Sequence, residues 1–377
     1  MNRRRPTVYR VTVGVPLVLF ITAALLSCGR STSTVDPETL QSIADFASQL
    51  KSDDKTERSF AARALSRIGP PAEGAVPALI EALKDEDQGV RTWAAKALGE
   101  IGGAAGDAVP ILLESLKDEN EAVRWEAARM IGLLGPVAED AIPALAQAMK
   151  TGRSNAYSLA LRSIGPAAVP ALLKALTHDR WTVRKQAASS LGFIGPVAAD
   201  VTVSALVTAL QDEEWMVRCS AADGLGRIGP AAKDALFPLA AALDDEEKYV
   251  RVSVAGAVGV LDPESENAVQ ILIAALKDND GTLRELAANR MGSVAITNSA
   301  ARIAVPALVV ALRDEENGVR RDAAAALGFI GAAGAEESVP ALRGALQDED
   351  PNVRHAAKTA IDLIERPRKV YPPWEMP

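Results

Sequence analysis

Apolar residues recur at helical spacing within short segments of the chain. In residues 76–83 the apolar positions lie three and four apart, on one face of a helix: Val76, Leu79, Ile80 and Leu83. After the polar stretch 84–89, a second set with the same spacing runs from Val90 to Ile101. Residues 76–101 therefore predict two amphipathic helices joined by an acidic turn.

The same pattern returns along the chain in steps of 30 to 36 residues. It can be aligned on ten anchor positions, nine of them arginine: Arg58, Arg91, Arg124, Ser154, Arg184, Arg218, Arg251, Arg284, Arg320 and Arg354. Glycine follows eight positions after seven of these anchors: Gly99, Gly132, Gly192, Gly226, Gly259, Gly292 and Gly328. The chain is therefore built from internal repeats, and each repeat is predicted to form one helical hairpin.

Glycine and proline mark the ends of the predicted helices. Gly-Pro pairs begin at residues 69, 135, 165, 195 and 229, where glycine can adopt a left-handed cap and proline prevents the helix from continuing. Four aspartates are placed to cap the first helix of their units: Asp107, Asp140, Asp200 and Asp234. Asp262-Pro263 replaces a Gly-Pro pair and residues 295–306 run three residues long, so we expect a kink or a loop there.

A hairpin of this size cannot bury its apolar face alone, so successive hairpins must stack. Alanine and leucine dominate the sequence, and aromatic residues make up only 4% of it, which suits helices packed through small side chains. The predicted fold is an all-α superhelix of about ten helical hairpins.

Residues 85–102 (DEDQGVRTWAAKALGEIG) and 314–331 (DEENGVRRDAAAALGFIG) resemble the HEAT repeat of the phycobilisome-lyase type. The shared motif is an acidic turn, then Val-Arg, Ala-Ala and Leu-Gly-x-Ile-Gly, and it recurs over about 330 residues. The resemblance implies a scaffold built as a solenoid, with a few enzymatic branches.

An aspartate recurs six residues before the anchor in most units. It stands at positions 85, 118, 212, 245, 278, 314 and 348. A carboxylate beside helix amides and arginines at every step predicts a structural ladder along the edge of the stack rather than a ligand site.

The first 28 residues differ from the repeats. Arginines at positions 3, 4, 5 and 10 precede an apolar run from Val11 to Leu26. This order is typical of a secretory signal peptide. The run has 16 residues, fewer than the roughly 20 that a membrane-spanning helix needs. A short uncleaved anchor is the alternative.

The end of this run, Leu25-Leu26-Ser27-Cys28, resembles the bacterial lipobox, although Leu26 fills a slot that usually holds a smaller residue. The resemblance implies that Cys28 is acylated and that the exported protein is lipid-anchored in the bacterial cell envelope, on the periplasmic side or at the cell surface. We therefore divide the chain into a signal peptide (1–27), a polar linker after the lipidated cysteine (28–35), the repeat solenoid (36–365) and a Pro-rich basic tail (366–377).

Charge and composition exclude several classes of function. The formal net charge is −8, and it becomes −12 without residues 1–27, which carry four arginines and no acid. Such a surface would repel nucleic acid and anionic lipid. The partners expected are proteins, with the membrane reached only through the lipid anchor.

The chain carries little catalytic chemistry. Residues 224–229 fit the glycine pattern of a dinucleotide-binding loop but lie within a predicted second helix. His178 and His355 are the only histidines, and Cys219 has no histidine nearby to activate it. We predict no enzymatic activity, no cofactor, no metal and no small-molecule substrate. The alternative, an intracellular bilin-lyase-like or other catalytic HEAT protein, conflicts with the export signal.

The exposed side of each second helix is predicted to be positions one, two, five and nine after the anchor. These positions carry charges of both signs, which favours protein partners. Six residues at these positions are our candidates for a protein-binding inner face: Trp93, Trp125, Arg129, Phe193, Arg227 and Phe329. The alternative is that the aromatic residues only cover their neighbours in the stack.

Overall fold

The computed structural model describes residues 37–151 and 154–365. The signal peptide, Cys28, the linker to residue 35 and the tail 366–377 lie outside the described residues, so the boundaries drawn there stay predictions. The described residues are almost wholly helical and contain no strand. This confirms the predicted all-α superhelical class.

Residues up to Ala138 form one compact unit. Its described part contains three hairpins, each made of a first and a second helix: α1 (Pro37–Gln49) with α2 (Lys55–Ile68), α3 (Val76–Ala82) with α4 (Gln88–Ile101), and α5 (Val109–Ser115) with α6 (Glu121–Leu134).

Residues from Glu139 onward form a second compact unit. Its described part contains seven hairpins: α7 (Ile142–Thr151) with α8 (Ala156–Ile164), α9 (Val169–Ala175) with α10 (Trp181–Ile194), α11 (Ala199–Ala209) with α12 (Trp215–Ile228), α13 (Leu236–Ala241) with α14 (Lys248–Leu261), α15 (Glu266–Ala275) with α16 (Gly281–Thr297), α17 (Val305–Ala311) with α18 (Asn317–Ile330), and α19 (Ala335–Ala345) with α20 (Pro351–Glu365). The predicted number of hairpins is confirmed.

The second helices begin and end at residues suited to those positions. Asp87 caps α4, because its Oδ1 accepts hydrogen bonds from the amides of Gly89 (2.8 Å) and Val90 (3.3 Å). Seven helix-ending glycines have φ between 61° and 88°: Gly69, Gly102, Gly135, Gly165, Gly195, Gly229 and Gly331. Their ψ values lie near −140°, as at Gly69 (−138°), a region open almost only to glycine. The positive φ is confirmed, but the expected left-handed helical ψ is wrong.

The first helices begin differently from the prediction. No side chain caps the start of α5, α11 or α13, so Asp107, Asp200 and Asp234 do not act as N-caps. The reason is that each of these helices continues directly from a 3-10 turn. The carbonyls of the turn already accept hydrogen bonds from the first amides of the helix. The amide of Val109, for example, donates to the carbonyl of Gly106.

The long unit near residue 300 contains a longer helix instead of an extended loop. The helix α16 has 17 residues, whereas α12, α14 and α18 have 14. Asn298 ends α16 and is 4% exposed. Its side-chain nitrogen Nδ2 donates hydrogen bonds to the backbone carbonyls of Gly259 and Asp262, both at 3.2 Å. The extra residues are therefore packed against the preceding hairpin.

In the second unit, each second helix from α10 to α20 packs against the next one. Small residues allow the backbones to approach closely. A Cβ added at Gly192 would lie 2.3 Å from the Cα of Gly224, and one at Gly328 would lie 2.7 Å from the Cα of Ala360. The glycine eight positions after the anchor thus sets the spacing between successive hairpins.

The predicted arginine–aspartate ladder is present in both units. Six of the anchor arginines each make two hydrogen bonds to the aspartate of the next turn, with Nε–Oδ2 distances of 2.6–2.8 Å: Arg58–Asp85, Arg91–Asp118, Arg184–Asp212, Arg218–Asp245, Arg284–Asp314 and Arg320–Asp348. The remaining Nη1 donates to carbonyls of the arginine's own turn, such as those of His178 and Asp179 for Arg184. Each of these six pairs therefore joins one hairpin to the next within its unit.

One step of the ladder uses a different cation. Arg251 bonds only the carbonyls of its own turn, and Lys248 Nζ reaches Asp278 Oδ1 at 3.0 Å. Trp215 packs on Tyr249, with ring centroids 5.3 Å apart, and the Tyr249 hydroxyl donates to Asp280 Oδ2 at 2.7 Å. The contact between Trp215 and Tyr249 joins the first turns of α12 and α14.

Within the described residues, one continuous helical stretch is long and apolar enough to cross a membrane, Trp181–Ala209. It consists of α10, a 3-10 turn at Gly195 and α11. Apolar side chains on both helices are buried inside the stack, including Leu191 and Leu206. Only 33% of its most apolar 18-residue part is buried, however, and Val197 (75% exposed) and Val201 (46% exposed) lie at the surface, so packing between hairpins accounts for part of its apolar composition.

The ladder predicts a large difference between two neighbouring carboxylates. Asp212→Ala removes two hydrogen bonds from the nearly buried Arg184, and we expect the free energy of unfolding to fall by about 2 kcal/mol in urea titrations. Glu213→Ala is the matched control, because Glu213 reaches the same guanidinium at 3.2 Å but is 82% exposed. Its cost should stay below about 0.5 kcal/mol. Equal costs would contradict a structural ladder.

The cost of Asp212→Ala should also depend on pH. Burial alone would raise the pKa of Asp212, but the hydrogen bonds from Arg184 and from the Glu214 amide outweigh it and hold that pKa below its usual value. A lowered folded pKa stabilises the protein above the unfolded pKa, and this contribution is lost as the pH falls through the folded pKa. The difference between wild type and variant should shrink from about pH 6 to about pH 3. A constant difference would argue against the charged pair.

Candidate protein-binding surface

We call one side of the second helices in each unit the second-helix face. It comprises the positions one, two, five and nine after each anchor. Most of these positions are at least partly exposed, but in α14 all four are buried: Val252, Ser253, Gly256 and Val260. In the first unit it carries Trp93, whose ring centroid lies 4.9 Å from Lys96 Nζ and 5.3 Å from the guanidinium carbon of Arg63. Trp125 is 42% exposed on α6. Trp125 is thus open to a partner, whereas Trp93 is half-buried beneath these two cations.

Arg129 also lies on this face but is already paired. Its Nη2 contacts Glu126 at 2.7 Å and Glu100 at 3.7 Å. The hydrogen bond that Arg129 donates to Glu126 is the main cause of a raised pKa for Arg129. A partner would have to compete with these carboxylates, so Arg129 offers less binding energy than its position suggested.

In the second unit, Phe193 is held between two arginines. The guanidinium carbons of Arg162 on α8 and Arg227 on α12 lie 4.1 Å and 4.0 Å from its ring centroid. These helices flank α10 on its two sides, so the cations contact opposite faces of the ring. Phe193 remains 43% exposed. We call these three residues the Phe193 clamp.

Phe329 has a different environment. It is half-buried, and a Cβ added at Gly292 would lie 3.7 Å from its Cδ2. The ring therefore covers the glycine of the preceding second helix, as the packing alternative supposed.

Of the six candidates, the structure brings together Phe193 and Arg227. Trp93, Trp125 and Arg129 belong to the other unit.

Next to the clamp, a cavity of about 80 Å³ opens on α12, α14 and α16. It is lined by Asp223, Arg227, Asn289 and Ser293 of the second-helix face and by Arg290, which lies beside that face. Gly256 of α14 lies between the outer two helices, and an added Cβ there would be 2.7 Å from Arg290 Cδ. Arg290 passes over this glycine and pairs with Asp223, two repeats away.

The cavity is lined by two arginines and one aspartate, so positive charge is in excess. Arg290 donates to Asp223 Oδ2 and, through Nη1, to Asn289 Oδ1 at 3.0 Å. Burial raises the pKa of Asp223, against the opposing effect of Arg290. Burial, with the like charges of Arg290 and Arg162, lowers the pKa of Arg227, although Asp223 opposes this shift. The cavity therefore contains more positive than negative charge in a protein that is acidic as a whole.

Sequence reasoning missed two of the arginines in this region. Arg290 stands six positions after its anchor, where the other units carry Ala, Gly, Ser or Met. Arg162 stands eight positions after Ser154, in the slot that is glycine in seven units. Comparing each slot across units, and not only the exposed slots, would have identified both.

The first helices also expose apolar side chains that the sequence analysis did not consider. Phe237 on α13 is 86% exposed and Val310 on α17 is 73% exposed. Val310 and Ile303 line an open cleft between α15 and α17. These residues lie on the opposite layer of the stack from the clamp.

The described residues offer little for catalysis. They contain no group of three or more His, Cys, Asp or Glu side chains that could hold a metal. Residues 224–229 lie in α12 and its terminal turn, as the sequence predicted. Burial raises the pKa of the Cys219 thiol to about 12, which leaves it a poor nucleophile near neutral pH.

A family model of HEAT repeats matches residues 43–107, 103–164, 170–259, 203–292, 238–328 and 305–371. No curated protein matches the sequence. Among solved structures, the karyopherin Kap121p bound to the SUMO protease Ulp1p is 14% identical with a TM-score of 0.51, over 92% of this chain and 47% of that one. Kap121p bound to the extreme C-terminus of the protein phosphatase Cdc14p is 13% identical with a TM-score of 0.50, over 92% and 48%. The chain spans about half the length of these structures, and the likeness is one of fold.

The environment of Cys219 predicts its reactivity. With a pKa of about 12, only about one thiol in ten thousand is ionised at pH 8. We expect iodoacetamide to leave Cys219 unmodified in the folded protein and to alkylate it once guanidinium chloride unfolds the chain. Mass spectrometry of proteolytic peptides measures both states. Equal labelling in the two states would contradict the buried, inert thiol.

Proposed function

Because the chain belongs to the HEAT repeat family, we propose that it is a non-enzymatic scaffold that binds proteins through the second-helix face. The observation that carries this proposal is the Phe193 clamp. Aromatic and arginine side chains supply most of the binding energy in many protein interfaces. In the clamp, an exposed ring and two guanidiniums are already held together before a partner arrives.

Pre-ordering of this kind matters for affinity. Ordering a long side chain at an interface costs about 0.5–1.5 kcal/mol. Cation–π contacts of about 4 Å hold both arginines against Phe193, so much of this cost is met within the fold. The solved solenoids that resemble this chain carry bound protein segments, which supports a binding role for the fold.

We further propose that the protein is exported and lipid-anchored in the bacterial cell envelope. The support is the sequence of residues 1–28, with its basic start, its apolar run and Cys28 in a lipobox-like position. The linker from Gly29 to Val35 spans at most about 25 Å, which would hold the first hairpin close to the membrane. The repeats are proposed to be of the phycobilisome-lyase type, on the motif in residues 85–102 and 314–331.

The Phe193 clamp gives a matched pair of variants. Phe193→Ala should lower the recovery of specific partners from an envelope extract of the source organism by at least about tenfold, which corresponds to roughly 1.4 kcal/mol. Phe237→Ala is the control, because it removes an even more exposed phenylalanine from the first helices. Quantitative mass spectrometry of the captured proteins is the measurement.

Both substitutions are at the surface, so the midpoint of thermal unfolding should change little in either variant. If Phe193→Ala retains every partner of the wild type, binding through the clamp is refuted. If only Phe237→Ala loses partners, the first helices form the binding surface instead.

Lipid attachment has its own test. Cells fed an alkyne-bearing fatty acid should label the wild-type protein, and Cys28→Ser should abolish the label and move the protein out of the membrane fraction. Cys219→Ser is the control and should keep the label. An unlabelled wild-type protein in the cytosolic fraction would refute the anchor without bearing on the clamp.

A further inference from the structure

The cavity beside the Phe193 clamp exists because two units depart from the repeat pattern. The slot five positions after the anchor holds Gly256 in α14. This helix therefore places no side chain of its own between Asp223 on α12 and Asn289 on α16. Arg290 uses this space to reach Asp223 across α14. A glycine inside a helix costs about 1 kcal/mol relative to alanine. Here it creates a polar cavity that an ordinary unit would lack.

Arg227 is the cation of this cavity without a carboxylate partner. Asp223 is bonded to Arg290, and no ion pair joins Arg227 to any carboxylate in the described part of the chain. Arg227 contacts the Phe193 ring on one side and lines the cavity on the other. A half-buried cation in this position is best satisfied by an anion from outside the chain.

The cavity has room for a small polar group. Its volume of about 80 Å³ is enough to hold a few water molecules or a side-chain carboxyl group. The Asn289 amide and the Ser293 hydroxyl add hydrogen-bonding groups beside Arg227.

We propose that this cavity binds the carboxylate of a Glu or Asp side chain in an acidic segment of a protein partner, an inference that rests on the proposed scaffold function. The carboxylate pairs with Arg227 inside the cavity. An apolar side chain next to it in the partner packs on Phe193, since Arg227 touches both places. The recognised segment therefore combines one apolar and one acidic residue close together.

A direct binding experiment tests this pocket without knowing the partner. The probe is a fluorescein-labelled heptapeptide, Gly-Leu-Glu-Gly-Leu-Glu-Gly, compared with the same peptide carrying Gln in place of Glu. Fluorescence anisotropy with the full chain should show at least tenfold tighter binding of the Glu peptide. Equal binding of the two peptides, or no binding of either, would overturn the proposal.

Two variants locate the effect. Arg227→Met removes the cation without leaving a carboxylate unpaired, and Ser293→Leu fills the mouth of the cavity from an exposed position without changing charge. Each should reduce the preference for the Glu peptide to below threefold. Arg343→Met is the control for net charge, because Arg343 is 66% exposed on α19, far along the chain from the cavity. Loss of the preference in this control as well would show nonspecific attraction and refute the pocket.

Chemical protection gives a second readout. Phenylglyoxal modifies accessible guanidiniums, and the Glu peptide should protect Arg227 but not Arg343 when peptides are mapped by mass spectrometry. Self-association of the wild-type chain that Arg227→Met abolishes would identify a second copy as the occupant and overturn the assignment to another protein. If Phe193→Ala loses partners while the peptides show no preference, the scaffold stands and the pocket does not.

Discussion

A hairpin of two short helices carries an apolar stripe on each helix and cannot bury both stripes by itself. Every other feature of this chain depends on the burial of those stripes against the next hairpin. Residues such as Leu65, Leu98, Leu191 and Leu225 are fully buried for this reason. The close approach of Gly192 to Gly224 brings α10 and α12 together, and the ladder fixes the alignment of neighbouring turns by joining an arginine of one hairpin to the aspartate of the next.

Because of this constraint, the two sides of each second helix differ in the residues that they tolerate. Positions that face the stack must be small or aliphatic, since neighbouring backbones lie in contact there. Positions five and nine after the anchor face outward in most units, although Gly256 and Val260 of α14 are buried, and they tolerate a wider range of residues. Binding chemistry therefore collects at these positions, where Phe193, Arg227 and Asp223 stand. A rigid stack then holds side chains from successive hairpins at fixed distances, which a single hairpin could not do.

The sequence predicted the fold in detail because each signal for a helix or a turn recurs in many units, so one weak signal matters little. The number of hairpins, the glycines that end the helices and the ladder all follow from patterns that recur many times. Failures occurred at a residue unique to one unit and at a repeated residue whose capping role the backbone already fills. Asn298 ends a longer helix through bonds to the carbonyls of Gly259 and Asp262, and no repeated signal marks such a residue. Asp107 looked like a helix cap, but a backbone 3-10 turn already satisfied the amides it would have capped.

The candidate site could be predicted only in part for the same reason. Phe193 and Arg227 were found because they occupy exposed slots, whereas Arg162 and Arg290 occupy slots that packing normally reserves for small residues. A long cation in such a slot is tolerated only where a neighbour gives way: Gly256 provides the room for Arg290. Residues that break a local rule need a compensating neighbour, and such pairs are expected at functional sites more than in the bulk of the fold. In a repeat protein, the departures from the repeat are therefore the best guide to function, and here they converge on one cavity and one exposed aromatic ring.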